Sequence, residues 1–122
     1  MNQDGLPSGL TATNVAHALD ALSEPRRVHA VQYLSSFEAD SEVSLRKLAK
    51  AVAGREHDKP PNQIEHAAYK STRGSLHNWH LPSLAQCGAI TYDEGSKTIT
   101  VRSELRFFCA VLSLVTTWVR LE

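Results

Sequence analysis

Residues 74–101, GSLHNWHLPSLAQCGAITYDEGSKTITV, constrain this chain more than any other stretch, because a helical pattern stops at a glycine and runs at once into two short alternating segments. Leu76, Trp79, Leu81 and Leu84 supply the apolar helical positions. Gly88 supplies the stop, since a residue without a Cβ adopts the left-handed conformation that ends helices at little steric cost. Ile90 and Tyr92 alternate before the turn Asp93-Glu94-Gly95-Ser96, and Ile99 and Val101 alternate after it, which predicts a hairpin.

The chain before this point reads as helices. Residues 1–12 form a Gly, Pro, Ser and Asn-rich arm. A first helix over about 14–22 lines up Val15, Ala18, Leu19 and Leu22. Ser23 is the expected N-cap of a second, with Pro25 in its first turn and Val28, Val31 and Leu34 facing inward. After an acidic loop over 38–42, Ser44 caps a third helix carrying Leu45, Leu48, Ala49 and Val52 up to Gly54. Pro60 and Pro61 break it, and Asn62, with Glu65 three residues on, is expected to cap a fourth helix to about residue 80. Its inward face would be Ile64, Ala68, Leu76 and Trp79, with Pro82 kinking or ending it. Helix, helix, hairpin in this order predicts an α+β fold, mainly α with a β-hairpin wing: a winged helix-turn-helix over 13–102, followed by a C-terminal helix over 103–122.

Thirteen Lys plus Arg balance thirteen Asp plus Glu, so net charge identifies no partner. The charges are segregated, however. Residues 44–80 carry seven basic against three acidic side chains and four of the six histidines. A basic middle ahead of a wing points to an anionic partner met by one face, the alternative being a solvated helix surface.

On the fourth helix His66, Lys70, Arg73 and His77 follow at spacings of four, three and four. In a helix-turn-helix this helix enters the major groove of double-stranded DNA, where Arg73 can hold guanine bidentately and Lys70, Ser71, Ser75 and Asn78 can reach bases or phosphates. Arg46 and Lys47 at the start of the third helix are phosphate candidates, and Lys97 and Thr98 would contact DNA from the hairpin tip.

Other chemistries find less support. His57, His66, His77 and His80 lack the Cys or carboxylate partners of a complete metal site. Cys87 and Cys109 have no CxxC spacing and read as small buried residues rather than a disulfide framework. No nucleophile-base order, phosphate loop or paired-carboxylate motif suggests an enzyme, and no cofactor or small-molecule substrate is implied. Neither a secretory signal nor a run of about 20 apolar residues is visible, so the expectation is a cytoplasmic chain away from membranes.

From Ser103 onward the helix is apolar on two sides. Leu105, Phe108, Cys109, Leu112 and Val119 make one stripe, and Phe107, Val111, Leu114, Trp118 and Leu121 the other. One stripe covers the chain's own core, and the second is the expected interface of a homodimer that also uses the first helix. Two recognition helices would then read a pseudo-palindromic site.

The runs ALSEPRRVHAVQYLSS, VSLRKLAKAV and LHNWHLPSLAQCGAITYD resemble the winged helix-turn-helix transcription regulators of halophilic archaea, and within them a regulator of the response to reactive oxygen species. The resemblance implies a homodimeric repressor or activator. It rests on Glu24 to Arg27 and on His80 to Leu84 with Gly88, and it nominates no base contact. The other reading of the same fold is a protein-interaction adaptor of the transcription machinery that does not read DNA.

Overall fold

The computed structural model describes residues 11–120, so most of the expected N-terminal arm lies outside the described residues. The elements are α1 (Ala12–Ala21), α2 (Pro25–Leu34), β1 (Glu42–Ser44), α3 (Leu45–His57), a 3-10 turn (Pro61–Gln63), α4 (His66–Ser75), a π-helical turn (Leu76–His80), α5 (Leu81–Gln86), β2 (Ile90–Asp93), β3 (Thr98–Val101) and α6 (Leu105–Arg120). The strands make one antiparallel sheet in the order β1-β3-β2. The fold is α+β, in an arrangement compatible with a winged helix.

Several expected devices are present in atomic detail. Ser44 is extended and its hydroxyl accepts the Lys47 backbone N–H at 3.1 Å, which satisfies one of the free donors at the start of α3. Gly88 has φ +85, with Gly88 N–H on the Ala85 carbonyl and Ala89 N–H on the Leu84 carbonyl, the paired bonds of a Schellman stop. The hairpin pairs Ile90 with Val101 and Tyr92 with Ile99. The Asp93 carboxylate closes its turn by accepting the Gly95 and Ser96 backbone N–H groups at 3.0 and 3.3 Å, which holds that carboxyl below its usual range.

Other expectations are corrected. Ser23 does not cap α2; the capping position is Glu24, without a side-chain bond, and Ser23 donates instead to the Asp20 carbonyl. Asn62 does not cap α4, because it lies in the 3-10 turn and Ile64 is extended, so the helix begins at His66 with Glu65 as its extended N-cap. Gly54 does not end α3, which continues to His57 and stops on Asp58 in the left-handed region, φ 53. The acidic stretch 38–42 is not loop to its end: Glu42 begins the short strand β1, paired through Val43 to Ile99.

The largest correction concerns the fourth helix. Pro82 does not end it: the chain stays helical through a π-turn, and the proline sits in the first turn of α5. An α-helix would lodge the proline ring against the carbonyl of residue 78, and the π-turn relieves this by adding a residue to one turn, with Leu81 N–H reaching back to the Leu76 carbonyl. That extra residue rotates everything downstream. Thr72, Leu76, His80, Leu81 and Leu84 are buried, whereas Trp79, expected inside, is 70% exposed.

The core is one cluster fed by α1, α2, α3, the π-turn, α5, the sheet and α6, with Leu34, Leu48, Val52, Leu76, Leu84 and Ile99 fully buried and α4 touching it through Tyr69. α6 lies on α1 and α2 and inserts Leu105, Phe108 and Val111. Val111 therefore leaves the expected outer stripe: at 3.6 residues per turn it lies about 60° from Phe108, inside the arc that a core-facing helix buries. Phe107 is half-buried against the same core, Leu114 is 68% exposed, and the Trp118 side chain and Leu121 lie outside the described residues. No helix among the described residues is long and apolar enough to cross a membrane.

Candidate nucleic-acid interface

The helices around the basic segment are held by two arginines near the start of α2. Arg26 Nε donates to Glu56 Oε2 of α3 at 2.7 Å, and the other oxygen of that carboxylate accepts the buried Thr72 hydroxyl of α4 at 3.2 Å. One carboxylate thus ties three helices together. Arg27 Nε donates to Nδ1 of His80 in the π-turn at 3.0 Å. Glu24 to Arg27 and His80 to Leu84, far apart in sequence, are joined in space by this bond.

His80 must be neutral to accept it. Burial lowers its pKa, and the neighbouring Arg27 and Arg26 lower it further against the opposing pull of Glu24 and Glu56. A depressed histidine pKa means that the unfolded chain takes up a proton the folded chain refuses. His80 therefore contributes stability that is fully present above its ordinary value of 6.5 and is lost as pH falls below it towards the folded pKa. Urea melts at pH 7.5 and 5.5 should show this loss, and His80→Gln, which keeps an acceptor but does not titrate, should lose less.

On this frame the candidate contacts fall into two groups. The first surrounds the start of α3. Arg46 and Lys47 are exposed, and the Lys47 ammonium lies 5.5 Å from the centre of the Phe37 ring. The Leu45 N–H donates to the Lys97 carbonyl at 2.9 Å, so the tip of the hairpin is hydrogen-bonded to the first turn of α3. Lys97 and Thr98 are brought to Arg46 and Lys47 by that bond. Lys97 adopts φ 56, which turns the chain from the loop into β3.

The second group is on α4. His66, Lys70 and Ser71 are exposed, and Arg73 and Ser75 are half-buried. Lys70 and Arg73 form no ion pair among the described residues. Arg73 lies close enough to Tyr92 of β2 to pull the pKa of that phenol down, although burial raises it by more. His77 is not a free member of the stripe: its Nδ1 is 2.7 Å from the Tyr92 hydroxyl and the two rings meet edge to face. It braces the end of the helix against the hairpin. Asn78 is exposed in the π-turn beyond it.

Sequence reasoning passed over three residues here. Lys50 sits one turn after Arg46 and Lys47, and its ammonium lies 5.8 Å from the centre of the Tyr69 ring of α4, so it carries the positive charge of α3 across to α4. Its spacing from Lys47 was the available signal. Tyr69 and Tyr92 gave none, because their roles come from residues on other elements.

Among the described residues no three His, Cys, Asp or Glu side chains come together to hold a metal ion. Burial pushes the Cys87 thiol up, Asp20 adding to it, and burial also pushes up the Cys109 thiol against a hydrogen bond with Ser35. Neither is the exposed thiolate that oxidants attack first.

Residues 19–100 match the model of a domain of unknown function, DUF7344. The chain belongs to this family. The DUF7344 domain runs from within α1 to β3 and so holds Arg46, Lys47, Lys50, Lys70, Arg73, Lys97 and the hairpin, while α6 follows the matched span. No curated protein and no solved structure matches the chain.

Proposed function

We propose that the chain is a winged helix-turn-helix transcription regulator that binds double-stranded DNA as a homodimer. The observation that carries the reading is the tethering of the hairpin tip to the start of α3 beside two exposed cations, next to a helix whose Lys70 and Arg73 form no ion pair among the described residues. In this reading α4 enters the major groove, with Arg73 and Lys70 on base edges and Ser71, Ser75, His66 and Asn78 as shorter contacts. Arg46, Lys47 and Lys50 take phosphates, and Lys97 and Thr98 of the wing take the backbone. His77 acts through Tyr92, fixing the angle between recognition helix and wing.

Dimerisation draws support from α1 and α6, which touch each other and leave Leu19 47% and Leu114 68% exposed. Each large apolar side chain left in water forgoes about 1.5–3 kcal/mol. A second copy covering these positions recovers it and sets two recognition helices about one DNA turn apart. A part in the response to oxidants rests on the sequence resemblance alone, and the raised thiols speak against direct cysteine oxidation as its trigger.

Selection from genomic fragments followed by mobility shift tests the reading. The full chain should enrich a pseudo-palindromic site and bind it as two copies. Arg73→Ala should weaken that binding about 10- to 100-fold, the worth of one bidentate base contact. If no fragment is enriched, or Arg73→Ala binds as well as the wild type, the DNA-reading assignment is wrong.

A further inference from the structure

A cavity of about 490 Å³ lies between the segment after α2, the end of β3 and the base of α6; one of its walls is Phe37, whose ring also meets the Lys47 ammonium. Its size is that of small-molecule sites, and its wall is mainly apolar, made by Phe37, Val101, Leu105 and Cys109. The thiol of Cys109 is neutral, because burial raises its pKa, so it presents a soft apolar surface rather than a charge.

The charged groups are arranged unevenly around this wall. Arg102 and Arg106 both line the cavity, but Arg102 Nε is held at 3.3 Å by Glu104. Arg106 has no ion-pair partner among the described residues. It stands in the first turn of the sixteen-residue α6, where the helix dipole adds positive potential. Glu38 also lines the cavity, and its carboxylate disfavours a second negative charge on any occupant. One uncommitted guanidinium over an apolar wall, with one carboxylate nearby, suits a ligand with a single negative charge on a compact apolar body. Phosphomonoesters carry too much charge, and neutral hydrocarbons leave the guanidinium unused.

We propose that this cavity binds a small amphipathic carboxylate, whose apolar body lies against Leu105 and Cys109 and whose carboxylate pairs with Arg106. Val101 N–H donates to the Ser41 carbonyl and its carbonyl accepts the Asp40 N–H, so an occupant joins the end of the central strand β3 to the base of α6. It is therefore placed to change how α6 sits on the domain, whatever partner α6 meets.

Calorimetric titration of the full chain with 2-naphthoate, the neutral 2-naphthylmethanol and the cationic 2-naphthylmethylamine tests this without reference to DNA. The acid should bind about tenfold or more tighter than the alcohol, and the amine weakest of the three. Arg106→Gln should bring the acid down to the affinity of the alcohol and leave the alcohol within about twofold. Ala39→Phe, on the exposed loop that lines the mouth, should weaken both by about tenfold through lost space. Both substitutions are at exposed positions, so circular dichroism should superpose on the wild type. Failure of the acid to bind, an amine as tight as the acid, or an unchanged acid affinity in Arg106→Gln would each overturn the proposal.

Discussion

Leu76→Ala should lower the stability of the domain by about 3 kcal/mol, whereas Trp79→Ala, three residues away and removing a larger side chain, should change it by less than about 0.5 kcal/mol. Leu76 opens the π-turn with 0% of its surface exposed, and Trp79 leaves the same turn 70% exposed. Removing the leucine side chain forfeits its transfer out of water and leaves a cavity bounded by the core leucines, which a packed interior fills only in part. Removing the tryptophan takes away surface already in water. A regular 3.6-residue repeat places both residues on the inward face and so assigns tryptophan the larger loss. Chemical denaturation of the two variants decides between these phases, and for a domain of this size the leucine variant should melt about 10 °C below the wild type. Comparable losses for the two would mean that the helix runs through Pro82 without the extra residue.

How well the fold can be read from the residues depends on how local each signal is. The Ser44 cap and the Asp93 turn are each a side chain bonded to backbone within three residues, the Gly88 stop is a pair of backbone bonds spanning at most five, and all three are present. β1 is three residues long and exists only because Val43 finds Ile99 across the sheet, so no window of its own sequence shows it. The π-turn is legible only as a conflict, a proline within an otherwise continuous helical pattern, and nothing local says whether the chain ends, kinks or widens there. α6 illustrates a third case. Leu105 and Phe108 of the inner stripe are buried and Leu114 of the outer one is exposed, but the boundary between the stripes is set by how α6 packs on α1 and α2, which takes in Val111. The candidate site follows the same rule. The cations of α3 and α4 are visible as a charge pattern, while Lys50 over Tyr69 and His77 on Tyr92 require elements that only the fold brings together.

Gly54→Ala and Gly74→Ala should move stability in opposite directions, although both replace a helical glycine by the best helix former. Gly74, near the end of α4, has nothing within 4 Å of where a Cβ would stand. Alanine there restricts the unfolded chain and fits the folded one, so it should stabilise by about 0.5–1 kcal/mol. Gly54 lies where the chain folds back on α3 after Asp58, and a Cβ would stand 2.8 Å from the Lys59 carbonyl oxygen. That oxygen is backbone, and the Lys59 N–H is itself bonded to the Gly54 carbonyl at 3.0 Å, so neither end of the contact can swing away. Moving the segment also disturbs Asp58, already in the left-handed region. The overpacking should exceed the gain in propensity and leave a net loss of about 2 kcal/mol. The clash lies at the link between α3 and α4, so the same substitution should also alter the angle at which Lys70 and Arg73 are presented. A Gly54→Ala chain that melts above the wild type would show that the close return of the 58–61 segment onto α3 is wrong. The relation between the two helices of the proposed DNA-binding unit would then rest on the Glu56 bond to Thr72 and on Lys50 over the Tyr69 ring.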